Sequence, residues 1–200
     1  MKTIIFTFIG LLASFWLIVI LLTPNYFLLL FAISKPDSAA WYDDRVIEFG
    51  LKLIPNKVLM LGFNMKEDTC YATGMLDGIN YVNMLVDIRY ENFPDTGLIF
   101  DKELAKRKAI HFIEQGCDPN DVHPESKLGP IHTAFVAAPK DPEFVLELID
   151  HGANPNLQYP PDMAFDLGGK PAITIVKRLA FDGKPQNRPI YKDLLERLEN

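Results

Sequence analysis

The sequence predicts an all-α chain: a short solenoid of helical hairpins preceded by one apolar transmembrane helix. Three observations point there. The stretch Phe112-Ile-Glu-Gln-Gly-Cys-Asp-Pro-Asn120 returns 36 residues later as Leu148-Ile-Asp-His-Gly-Ala-Asn-Pro-Asn156, and self-similarity at that period marks stacked helical units. Apolar residues elsewhere recur at three- to four-residue steps, the spacing that lines one helix face. Finally, Ile4 to Leu22 is broken only by Thr7, Gly10 and Ser14 and holds no charge, long enough to cross roughly 30 Å of hydrocarbon.

The apolar N-terminus carries Lys2, the positive flank that a signal peptide would also have. Its apolar run exceeds the roughly 7–15 residues of a cleaved signal, however, and the small-residue site Ser38-Ala39-Ala40 lies far beyond it. An uncleaved anchor is therefore expected. Tyr26 to Ile33 is a second apolar run too short to span alone, with the first helix kinked or continued at the interface by Pro24. A nearly absent N-terminal tail favours N-inside, C-outside. The expectation is thus a single-pass membrane protein, anchored through residues 4–22, with a periplasmic C-terminal domain.

Three regions follow: residues 1–34 as the anchor, 35–97 as a helical linker and N-terminal cap, and 98–200 as the repeats. Asp43 to Ile54 has helical spacing, Lys57 to Phe63 suits strand or helix, and Gly74 to Tyr90 reads as an amphipathic helix. That last helix is expected to cap the stack, because about three units are needed to bury a continuous core. Asp101 to Gln115 forms a helix with Ala109, Ile110 and Ile113 as its buried stripe. Gly116 and Gly152 stop their helices, since Gly accepts the left-handed conformation that other residues resist. Pro130 suits a first helical position, where no amide proton is needed. Phe144, Val145, Leu148 and Ile149 make the core face of the next helix.

Pro130-Ile131-His132-Thr133-Ala134 and Gly152-Ala153-Asn154-Pro155-Asn156 together resemble the ankyrin repeat family. The family's pattern is Thr-Pro-Leu-His-x-Ala, a short turn, a second helix and Gly-Ala-Asp-x-Asn. The likeness covers roughly residues 98–200, with one good repeat and two degenerate ones. Gly129 replaces the usual Thr, Lys170-Pro171-Ala172-Ile173 has lost the histidine, and the excess over a period of about 33 falls partly at Pro139–Pro142. The resemblance implies structural roles for Gly116, Asn120, Pro130, His132, Gly152 and Asn156. It implies that His132 ties a helix start to a neighbouring turn, and that the activity is protein binding along turn tips and the inner helical face. A short anchored chain of this kind is similar to membrane-anchored bacterial immunity proteins that neutralise secreted antibacterial toxins, lipase effectors included. The alternative is a membrane-tethered scaffold recruiting an endogenous partner.

Residues 35–200 carry a net −7, because Lys2 is the sole charge before Lys35 in a chain of net −6. So acidic a body is a poor nucleic-acid ligand and favours a basic or neutral protein. No phosphate loop, nucleophile elbow or zinc-hydrolase helix is present, so no catalytic residue, cofactor, metal or small-molecule substrate is expected and the chain does not read as an enzyme. His111-x-x-Glu114-x-x-Cys117 could be drawn as a metal set, but three-residue steps spread around a helix axis. Two cysteines define no scaffold; whether Cys70 and Cys117 pair is open, and Cys117 fills the slot that Ala153 fills in the twin. The turn from Leu157 to Gly168 carries Tyr159, Met163 and Phe165 beside two prolines. It either folds back on the solenoid or projects as a binding finger, since long loops on repeat arrays are often binding elements. His123, Glu125 and Lys127 on the preceding turn complete the expected partner-binding set.

Overall fold

A computed structural model describes residues 2–23, 25–34, 54–66, 70–72, 78–90, 99–164 and 166–199, with side chains of the first helix described from Gly10 onward. Among them are nine α-helices: α1 (Lys2–Leu22), α2 (Asn25–Ala32), α3 (Asn56–Lys66), α4 (Tyr81–Tyr90), α5 (Lys102–Glu114), α6 (Pro130–Ala137), α7 (Pro142–Asp150), α8 (Ile173–Asp182) and α9 (Arg188–Glu199). A short 3₁₀ turn, Ala138–Lys140, joins α6 to α7. Strand-like pairing among the described residues is confined to isolated bridges. The chain divides into two compact units, one of Met1–Asp77 with Pro94–Asp101, the other of Gly78–Phe93 with Lys102–Asn200. The segment 78–93 thus belongs with the hairpins.

In the first unit α2 packs along α3. Leu28, Leu29, Leu30, Phe31 and Ile33 are buried, as are Leu59 and Phe63. Thr23 closes α1, its hydroxyl and its amide both donating to the Val19 carbonyl (2.7 and 3.0 Å). The chain from Phe100 returns beside α2: Ser34 bridges Phe100, and the Asp101 amide donates to the Ile33 carbonyl at 2.7 Å.

Here the membrane expectation is corrected. Among the described residues no helix is long and apolar enough to cross a membrane. Helix α1 stops at Leu22 and is closed there by Thr23. The second apolar run does not prolong it, because the Leu28–Ile33 side chains are spent on core packing. The fold class with a transmembrane helix, the single-pass localisation and the periplasmic placement that rested on it are therefore set aside. The helix expected over Asp43–Ile54 lies almost wholly outside the described residues. Of the two readings of Lys57–Phe63, helix is observed.

The second unit is built of three helical hairpins, α4/α5, α6/α7 and α8/α9, each pair in mutual contact. The first helices also touch in succession, α4 on α6 and α6 on α8. Helix α4 is shorter than its apolar spacing suggested. It begins at Tyr81 because Asn80 Oδ1 accepts the Val82 amide at 2.8 Å, and Gly78 just before it has φ +77°. Nor is it only a cap: Tyr81, Met84, Leu85 and Ile88 are buried, and α4 is the inner helix of a complete first hairpin. Tyr81 stacks on Phe112 of α5, with ring centroids 5.1 Å apart.

Helix α6 starts at Pro130 behind Gly129. A Cβ there would lie 2.7 Å from the end of the Leu157 side chain and 3.3 Å from the Asp121 carbonyl, so a larger residue would have to push Leu157 aside. Helix α7 is capped by Asp141, whose carboxylate accepts the Phe144 amide at 3.1 Å. On α9, Tyr191 and Leu194 face inward while Lys192, Asp193, Glu196 and Arg197 are exposed, giving the stack a polar flank.

Candidate protein-binding surface

The turns that follow α5 and α7 are closed in the same way. After α5, the Gly116 amide donates to the Ile113 carbonyl (2.9 Å) and the Cys117 amide to that of Phe112 (3.0 Å). After α7, Gly152 donates to Ile149 and Ala153 to Leu148, both at 2.9 Å. This is a Schellman closure made twice, with Gly116 at φ +100° and Gly152 at φ +97°. Each then makes an Asx turn at the same offset: Asn120 donates its amide to Asp118 Oδ1 (2.8 Å), and Asn156 its amide to Asn154 Oδ1 (2.9 Å).

Side-chain amides lace the turns together. Asn80 Nδ2 donates to the Asp118 carbonyl and to Asp121 Oδ2 (3.3 Å each), and Asn83 Nδ2 to the Asp121 carbonyl (2.9 Å). One turn further on, Asn120 Nδ2 donates to the Gly152 carbonyl at 2.9 Å while its Oδ1 accepts the Asn154 amide at 2.6 Å.

His132 ties the second helix start to the next turn. Its Nδ1 accepts the Gly129 amide at 2.9 Å, which leaves the proton on Nε2 to donate to the Leu157 carbonyl at 3.2 Å. Burial holds this imidazole below its ordinary pKa and hence neutral, against smaller opposing effects of the two backbone bonds. Its ring lies 4.3 Å from that of Tyr159, centroid to centroid. Tyr159 is only 2% exposed, and burial pushes its hydroxyl far above the ordinary phenol range. Tyr159 therefore serves the fold and is not available to a partner, which corrects its place in the expected binding set.

The loop that begins at Leu157 folds on itself as well as on the stack. The Tyr159 amide donates to Lys170 (2.9 Å), Gly169 to Tyr159 (3.1 Å) and Ala172 to Leu157 (2.8 Å). Leu167 is buried, and Gly168 admits no side chain, because a Cβ would strike the Pro161 carbonyl. Met163 is half-buried and lines, with Pro161, Ala164, Asp166, Gly168 and Lys170, an open depression of about 620 Å³. Phe165 lies outside the described residues. Asp162 and Asp166, absent from the expected binding set, are exposed at this tip.

On the preceding turn His123 is half-buried and organises its own loop, Nδ1 accepting the Glu125 amide at 3.2 Å and its carbonyl the Lys127 amide at 2.9 Å. Glu125 and Lys127 are exposed, with Lys127 at φ +57°. Among the described residues no hydrogen bond or ion pair joins His123, Glu125 or Lys127 to the 159–164 loop, so the two groups stand as separate tips.

Where α4 ends, a polar cluster fastens the first hairpin to the second. Arg89 pairs with Asp141 at 2.6 Å and with Glu103 at 3.1 Å. Lys106 bonds Glu147 at 3.0 Å, and Lys140 Nζ donates to the Tyr90 carbonyl at 2.6 Å. Tyr90 donates its hydroxyl to the Asp141 carbonyl at 2.9 Å. Burial first, and the neighbouring Asp141 charge second, push that phenol far up its scale. Nearby, Asp87 accepts the Thr133 hydroxyl at 3.0 Å, and burial raises its carboxyl pKa. Tyr191, its hydroxyl on the Val136 carbonyl at 2.7 Å, is pushed up to about 12 by burial. All of these partners are fold-internal.

Among the described residues no group of three or more His, Cys, Asp or Glu side chains is placed to hold a metal. Neither cysteine is free; both are disulfide-bonded, so Cys117 offers no thiolate to the His111–Glu114 pair. No family model, curated protein or solved structure gives a match to this chain.

Proposed function

We propose that this chain is a protein-binding module of stacked helical hairpins, related in plan to ankyrin repeats. The observation that carries the reading is the pair of turns laced by Asn120, with Val122, Glu125, Asp162 and Asp166 exposed on the loops that follow them. Turns held by their own hydrogen bonds lose little entropy on docking. Their excess of carboxylates, within a chain of net −6, suits a basic partner surface. The helical start at Pro130-Ile-His and the Gly-Ala-Asn-Pro-Asn turn supply the likeness to ankyrin repeats.

The test is site-specific photo-crosslinking in producing cells, with the reactive group placed in turn at Glu125, Asp162, Lys192 and Asp193. A discrete heavier adduct from the tip positions, absent from the α9 positions, is the expected result. Adducts from α9 alone, or none from any position, would overturn the proposal. A secreted toxin and an endogenous protein are the two partner classes the resemblance implies. Growth protection when the chain is co-produced with a toxin would single out the first.

A further inference from the structure

We draw no further inference here: the strongest candidate, the exposed apolar face of α1 that carries Leu11, Phe15, Ile18 and Leu22, carries nothing because nothing in the structure shows what covers it.

Discussion

The turn after α5 and the turn after α7 share a closure, a left-handed glycine and an Asx bend, yet they differ in what they pass to the next hairpin. Asn120 spends both ends of its amide on the Gly152 turn, whereas the side chain of Asn156 makes no hydrogen bond among the described residues. The helix start after the first turn is fixed by His132, held at both ring nitrogens. The start after the second has Ile173 instead, and among the described residues it is held by backbone alone, Ile173 to the Pro155 carbonyl at 2.9 Å and Ala172 to that of Leu157 at 2.8 Å. The same turn can therefore be fastened in two ways. The comparison teaches that the glycine sets the bend, while side chains set how firmly successive bends are joined.

The largest break in that comparison comes from removing what precedes both turns. A fragment of residues 101–200 lacks α4, and with it Tyr81, Met84, Leu85 and Ile88 from the core. It should lose cooperative unfolding altogether, read by circular dichroism against urea. A sharp two-state transition in the fragment would show that α5 to α9 suffice.

Next in size is His132→Ala, which leaves the buried Gly129 amide and Leu157 carbonyl without their partner, at a cost of about 2–3 kcal/mol. A sign follows for pH. A histidine held neutral by burial contributes fully above its unfolded value of about 6.5. Its contribution is lost as pH falls below that, since the unfolded chain protonates first. Wild-type stability should fall between pH 7 and 5 more steeply than that of H132A; equal slopes would remove His132 as the cause.

Gly116→Ala and Gly152→Ala should each cost about 1–2 kcal/mol, from forcing a Cβ into the left-handed region. The similarity of their φ values predicts similar losses, and a twofold difference in the chemical-denaturation data would mean that the turns are less alike than their bonds. The smallest effect separates the asparagines. Asn120→Ala should cost about 1–2 kcal/mol through two lost bonds, and Asn156→Ala within about 0.5 kcal/mol, as for an ordinary surface change. Equal losses would erase the asymmetry.

Both turns were legible in the sequence because Gly, Asx and Pro act through their own backbone limits, which need no tertiary context. The start of α4 was not. Apolar spacing from Leu76 to Ile88 runs unbroken through Gly78 and Asn80, so the cap of Asn80 and the turn at Gly78 outweigh a periodicity that looked continuous. Nor is the first hairpin visible in the sequence, because residues 91–101 separate its helices and 94–101 belong to the other unit. For Tyr159 the sequence leaves folding back and projection both open, since composition cannot say which way a loop residue turns. His132 decides it by offering a ring to pack on. The Arg89–Asp141 pair joins residues 52 apart in sequence, a distance at which no local pattern speaks.

The extra residues at Pro139–Pro142 have a consequence for modularity. They complete the 3₁₀ turn that starts at Ala138, and they supply Lys140 and Asp141, the two side chains that reach back to Tyr90 and Arg89. A hairpin transplanted from a regular array of about 33 residues could reproduce the glycine bend and still arrive without these two hooks. The second hairpin is thereby keyed to the first: the units of this stack are not interchangeable parts, and shuffling them should cost its coherence even where every bend is kept.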